Sequence, residues 1–433
     1  MTRAPLAPPE LLDPLPPGVV PSPLYRGRPL RVLHGTYEIA GQGMVLAQGL
    51  REVGCEARSF SYQIAWDARK SDIVVDLDRR AGGFGKAFAM TRAFTEWSGR
   101  FDVFHLHFGT SFLPRRLDIP MLKAMGKKVV FHFHGCEVRN RAHMLATHRL
   151  ATCTECDPFC RPAQQAKLLR HMRDWSDLTF YSTLDLAESV PGARNLPLAI
   201  ETERWVAAAR EHPLEDPARR DGVNGPVVIA HAPTNRLIKG TGHVVDAVER
   251  LKREFPRLEL RMIEQQPWAG MPAFLAGCDI LIDQLMMGWY GLLAIEGMAE
   301  GRPVIAYVRD DFREARPGLP VVSAEPGTIH SVLRELIRDP ARRAELGGRG
   351  PAFVRRFHDT RVVGALLLAE YRRVLGLDPI AEASPAQAEA GRRSDLPPPA
   401  GRDEVRDDPP PSPPGATSVS RAATLRRLRE LSA

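Results

Sequence analysis

The stretch CDILIDQLMMGWYGLLAIEGMAEGRPVIAY, residues 278–307, decides the fold. Asp279 to Leu285 is apolar enough for an inner strand of a parallel sheet, since such strands are covered on both faces and read as continuous hydrophobic runs. Gly288 and Gly291 permit a tight turn, and Leu292 to Glu300 has helical periodicity up to a Gly-Arg-Pro stop. Val304 to Val308 reads as the next strand. In a strand, turn, helix unit the helix N-terminus presents free N–H groups and partial positive charge at the carboxyl edge of the sheet. Glu296, one turn further in, is placed to accept both hydroxyls of a ribose. Taken alone, the pattern also fits an ordinary helix-to-strand joint with Glu296 on the helix surface.

Upstream, PVVIAHAP (Pro226 to Pro233) is a second strand run, followed by TNRLIKGTGHVVDAVERLKREF with Arg236 and Lys239 at its start. A nucleoside diphosphate that leaves a sugar gains negative charge as the bond breaks, and fixed cations stabilise that state most. The two segments together resemble the retaining GT-B glycosyltransferases of the family 4 type. That family's motif has a Glu, seven residues and a second Glu before Ala-Met-Ala, Gly and Pro-Val. Glu296, Met298, Ala299, Gly301, Pro303 and Val304 match it, whereas the first Glu position holds Gly288.

The resemblance, which covers about Leu30 to Leu377, implies an α/β protein of GT-B architecture, with two Rossmann-like domains facing each other across a cleft. It implies a nucleoside diphosphate sugar as donor, and a glycan, lipid-linked or small-molecule acceptor. Arg236 and Lys239 would hold the diphosphate, Glu296 the ribose, and Gly291 and Leu292 the opening of the nucleotide-facing helix. Gly41 and Gly43, in the AGQG loop, would lie over the donor phosphates. His134, in HGCE with Glu137 at the family's acidic position, would orient the sugar. Asp283 or Gln284 would take over the sugar contact of the missing Glu. In the family the leaving phosphate itself accepts the acceptor proton, so a dedicated base need not be present, and no catalytic metal is expected.

Length supports two domains, since 433 residues exceed what one core normally serves. The expected division is 1–28 disordered tail, 29–205 acceptor-side domain, 206–225 linker, 226–353 nucleotide-sugar domain, 354–377 helix returning to the first domain, and 378–433 disordered tail. The flanks are Pro-rich, and such composition buries too little apolar area to offset chain entropy. Near the C-terminus, Leu425, Leu428 and Leu431 alternate with Arg426, Arg427 and Arg429, the pattern of a short basic helix for a partner or a lipid surface. No run of 18 apolar residues and no secretory signal is visible, so a cytoplasmic protein is expected, with peripheral contact to the inner membrane face. The formal charge of +7 favours anionic ligands, and no nucleic-acid motif accompanies it.

FDVFHLHF (Phe101 to Phe108) and KKVVFHFHG (Lys127 to Gly135) are further strands carrying His105, His107, His132 and His134. His134 sits where its strand opens toward the cleft; the others read as histidines hydrogen-bonded within the sheet. Cys153, Cys156 and Cys160 form CTECDPFC, with Cys136 upstream, and in a cytoplasmic protein this spacing reads as structural zinc before disulfide. His143 and His148 are alternative fourth ligands. Two other functions share the architecture: a sugar-nucleotide epimerase, and a sugar-nucleotide-binding protein that lost turnover with the first Glu. Donor base, acceptor identity and oligomeric state are not encoded in these motifs.

Overall fold

The computed structural model describes residues 11–63, 71–78, 82–154, 160–213, 219–264 and 266–381. A small antiparallel hairpin of β1 (Leu24–Tyr25) and β2 (Arg28–Pro29) precedes two parallel sheets. The first sheet contains β3 (Arg31–Gly35), β4 (Glu56–Ser61), β5 (Ile73–Val74), β6 (Val103–His107), β7 (Lys128–Phe133), β8 (Leu178–Tyr181) and β9 (Arg194–Asn195). Its spatial order is β5-β4-β3-β6-β7-β8-β9, so the winding reverses between β3 and β6. The second contains β10 (Val227–His231), β11 (Leu258–Met262), β12 (Ile280–Ile282), β13 (Val304–Ala306) and β14 (Val321–Ser323), in the order β11-β10-β12-β13-β14. Here the reversal falls between β10 and β12. In open α/β sheets the crevice at such a reversal is where ligands bind.

Helices cover both faces of each sheet, which is why every residue of β6, β10, β12 and β13 is buried and why those strands are apolar throughout, apart from the histidines. The α/β architecture with two Rossmann-like units is therefore the observed one. Helix Thr202–Glu211 spans the expected domain boundary, and of the linker that follows, residues 214–218 lie outside the described part.

The final helix, Thr360–Val374, packs on helix Gln42–Glu52 of the first domain. Their backbones meet at two glycines: a Cβ on Gly49 would stand 2.2 Å from Thr360 O, and one on Gly364 2.4 Å from Gly49 C and O. Val363, Leu366, Leu367 and Tyr371 thereby join the core made by Val32, Val45, Leu46 and Val103.

Residues 11–28 depart from the expected tail. Leu12 is 4% exposed in that same core, Leu15, Val20 and Tyr25 pack on it, and Leu11 bridges to Asn195 of β9. Composition read the prolines as a disorder signal, but the few apolar residues between them are spaced to insert. Residues 1–10 and 382–433, including the basic C-terminal segment, lie outside the described residues.

Candidate functional site

At the carboxyl edge of the second sheet the chain leaves β10 through Asn235, whose side chain accepts the N–H groups of Leu237 and Ile238 and starts the short helix Arg236–Lys239. Lys239 turns inward. Its Nζ donates to Asp283 Oδ1 at 2.6 Å and to Gln284 Oε1 at 2.7 Å, just beyond β12. Asp283 is fully buried, and its other oxygen accepts the Gly291 N–H at 2.6 Å. One carboxylate thus joins the lysine to the start of helix Leu292–Ala299. Gly291 admits this because a Cβ there would lie 2.9 Å from Asp283 Oδ2 and 3.4 Å from Lys239 Nζ.

Two expectations change shape. Asp283 and Gln284 were expected as sugar contacts, yet Asp283 spends both oxygens inside the protein, and Gln284 lies buried with its amide donating to Trp289 O. Arg236 and Lys239 were expected as one clamp, yet Arg236 faces solvent in a bidentate pair with Glu264, at 2.8 and 2.6 Å. Glu296 is 5% exposed on helix Leu292–Ala299, downstream of Gly291. Gly288 has φ +81, and a Cβ would lie 3.1 Å from Arg309 Cδ. The turn requires left-handed backbone at the position where the family motif has glutamate.

Beside this group His231, at the end of β10, bonds Ile282 O and Thr241 Oγ1, each at 2.9 Å, and burial pulls its pKa down to about 4. At the other end of helix Leu292–Ala299, both carboxyl oxygens of Glu300 are buried without a partner among the described residues. Burial pushes that carboxyl up to about 9, against the pull of Arg302 and with a contribution from Glu296. It is neutral at pH 7.

The first sheet's edge is built differently. Gly41 (φ +76) caps helix Gln42–Glu52, but Glu38 accepts the N–H groups of Gly43 and Met44 at 3.0 and 3.1 Å. A carboxylate of the protein already occupies the anion position expected for donor phosphate over Gly41 and Gly43. Gln42 ties the same loop to the domain crossing, exchanging two hydrogen bonds with the Ala199 backbone.

His134 has both ring nitrogens engaged, Nδ1 with Ser182 Oγ at 2.7 Å and Nε2 with His107 Nδ1 at 2.9 Å. The bonds continue through Ser182 to His132, from His132 to His105 and from His105 to Tyr371 OH at 2.6 Å, and on the other side from His107 to His34. Five histidines and two hydroxyl groups form one unbranched chain across the sheet. Donor follows acceptor without conflict if every imidazole is neutral. Burial holds the pKa values of His34, His105, His132 and His134 well below the ordinary range and that of His107 at about 3. Ring nitrogens of His107, His132 and His134 approach closely enough to suit a metal, but the rings of His107 and His134 lie only 22° from parallel. In-plane lone pairs so arranged point along the chain and do not converge on an ion.

The open group at this edge is Glu137. One oxygen accepts the His134 backbone N–H; the other, Oε2, is buried with no partner among the described residues. Burial lifts the carboxyl to about 7.

Of the four cysteines expected to hold zinc, Cys156 lies outside the described residues. Cys136 is exposed and accepts from Arg139 at 3.3 Å, Cys153 is buried beside Met144 and Ala151, and Cys160 is half-buried near Gln165. The three described thiols do not form a ready three-ligand group. His143 and His148, the alternatives, both bond Glu188, which Arg309 also holds at 2.9 Å. A guanidinium on the same carboxylate disfavours a cation there.

The two units together are the GT-B fold. Sucrose-phosphate synthase from Thermosynechococcus elongatus matches with a TM-score of 0.56 at 15% identity, over 81% of this chain and 100% of that one. A glycosyltransferase from Rickettsia africae matches with a TM-score of 0.51 at 12% identity, over 81% and 99%. HepE from Anabaena, solved in complex with UDP-glucose, gives 0.50 at 12%, over 80% and 98%. No protein-family model matches the chain, and no curated protein does. Among the described residues no helix is long and apolar enough to cross a membrane.

Proposed function

We propose that the chain is a retaining glycosyltransferase that takes sugar from a nucleoside diphosphate sugar. The observation that carries this is the convergence of Lys239, the Gly291 helix start and buried Asp283 at the winding reversal of the second sheet. Two of the three Lys239 N–H groups are fixed by Asp283 and Gln284, which leaves the third, with its direction set, for a phosphate oxygen. Such preorganisation costs no rearrangement when charge develops on the leaving group. Arg236 would exchange Glu264 for the diphosphate, Glu296 would take the ribose, and Gly291 and Leu292 would line the nucleotide. Solved neighbours of the same fold, one of them with UDP-glucose bound, support a nucleotide-sugar donor.

In the retaining reaction the C1–O bond to the diphosphate breaks, the acceptor oxygen bonds C1 on the same face, and its proton passes to the departing phosphate. Glu137, whose buried Oε2 has no partner among the described residues, would turn outward at the edge beside His134 to meet the sugar. His134 acts on it mainly by fixing that edge. The acceptor is a glycan, a lipid-linked sugar or a small molecule, and the basic C-terminal segment suits an inner membrane face. We also propose a structural zinc on Cys136, Cys153, Cys156 and Cys160, whose binding would have to draw the three described thiols together. Elemental analysis of untagged protein should give about one zinc per chain.

Incubation with a panel of nucleoside diphosphate sugars, scored for nucleotide release with and without acceptors, tests the main reading. Release that needs an acceptor and yields the donor's anomeric configuration supports it. Epimerised nucleotide sugar, or tight binding without release, would replace it with one of the two alternatives.

A further inference from the structure

A small, largely apolar pocket opens at the carboxyl edge of the first sheet, beside the reversal between β3 and β6. Thr36 and Tyr37 line one side, Tyr62 and Ser111 another, and Arg115 and Arg116 reach it from the loop after β6. Both arginines have left-handed backbone, φ 56 and 61, which residues other than glycine take only when their surroundings impose it. Fully buried Asp118 fixes the residues just before them, accepting from Ser111 Oγ at 2.6 Å and from the N–H groups of Phe112 and Leu113 at 3.0 Å each. The loop is built to hold its shape around an empty space.

Arg116 is half-buried and donates one N–H to Gly109 O at 2.8 Å. Among the described residues it makes no ion pair, since Asp118, the anion whose field reaches it, has its oxygens spent on the loop. Burial accordingly lowers the Arg116 pKa, with Asp118 offsetting only part. A half-buried guanidinium with open donors at a largely apolar pocket calls for an anion from outside, because desolvated charge is costly until it is paired.

Resting on the glycosyltransferase reading, we infer that this pocket is the acceptor subsite and that the acceptor carries an oxyanion, a phosphate or a carboxylate, held by Arg116. The planar guanidinium fork meets either group with two parallel bonds. The oxyanion belongs to a soluble sugar acid or to a lipid headgroup, and the two sources are separable.

Full-length protein is titrated calorimetrically with glucose 6-phosphate, glucuronate and glucose, and floated with phosphatidylglycerol vesicles. Wild type, Arg116→Gln and Arg116→Lys are compared, and UDP is titrated separately into each. At least one oxyanion probe should bind wild type while glucose does not, and Arg116→Gln should weaken it roughly tenfold or more, with Arg116→Lys between. UDP affinity and melting temperature should not move. Sugar-acid binding assigns the oxyanion to a soluble acceptor; vesicle binding alone assigns it to a lipid. Equal binding of glucose, no binding of any probe, or unchanged affinity in Arg116→Gln overturns the inference. Loss of UDP binding in wild type would instead sink the glycosyltransferase reading and leave the oxyanion result standing.

Discussion

Replacing His34 by Phe should make the protein less stable at neutral pH but recover much of that loss in acid. His34 is 0% exposed, bonds His107 through Nδ1, and leaves Nε2 unpartnered among the described residues. Its folded pKa lies well below 6.5, so in acid the unfolded chain binds a proton that the folded chain refuses. Stability from this group is complete above pH 6.5 and is lost as pH falls below it. Between pH 7.5 and 5.5 the loss is RT ln 11 minus RT ln 1.1, about 1.4 kcal/mol. Phenylalanine keeps a planar ring over His105, now 4.5 Å away, but strips His107 of a partner, a cost of about 1–3 kcal/mol at either pH. The net pH profile of the wild type is a poor readout, because burial pushes the Glu137 and Glu300 carboxyls up and gives the opposite slope. The difference between variant and wild type removes those groups. Urea unfolding at both pH values, followed by tryptophan fluorescence, should show the variant's deficit about 1.4 kcal/mol smaller at pH 5.5. An identical deficit at the two pH values would refute the reasoning, since it would mean that His34 titrates normally when folded.

Lys239→Ala should cost roughly tenfold or more in UDP affinity and also about 3–5 kcal/mol of stability, because it strands the buried Asp283 charge. A Lys239→Met, Asp283→Leu double variant should regain stability but not binding in paired melts and titrations. Arg236→Ala, by contrast, breaks only an exposed pair and should weaken the donor complex while the melting temperature stays put. Gly288→Glu, which restores the family residue, should lower the melting temperature without raising turnover, since φ +81 strains any side chain and Arg309 fills the space. Gly364→Val should destabilise by several degrees of melting temperature, with the lost packing visible as faster amide exchange in β3 and β6.

The second domain was the more legible half because its signals are local. Strand, glycine turn and helix follow one another within 278–307, and the fold needs little else to place Lys239 and Glu296 on one edge. What sequence could not convey was direction. Asp283 and Gln284 end the right strand but point inward, and Arg236 turns to Glu264, because partners distant in the chain decide rotamers. Glu38 was missed although it stands only five residues before Gly43, a spacing that lets a carboxylate fold back onto a helix start. Arg116 gave no signal at all, since arginine seldom takes left-handed backbone and nothing in its neighbours announces it. The histidines were visible as strand residues, but an unbranched hydrogen-bond chain is a property of four neighbouring strands, β3, β6, β7 and β8, and one remote helix together.

That remote helix sets a schedule for biosynthesis. His105 waits for Tyr371, 266 residues later, and the Gly49 surface stays open until Gly364 arrives. At bacterial or eukaryotic translation rates of about 5–20 residues per second, the interval is roughly 13–50 s. Throughout it the nascent first domain exposes Leu46, Leu50 and the unpaired Nδ1 of His105, so a ribosome-bound chaperone has its natural binding window here, and a stalled or truncated message yields an aggregation-prone first domain.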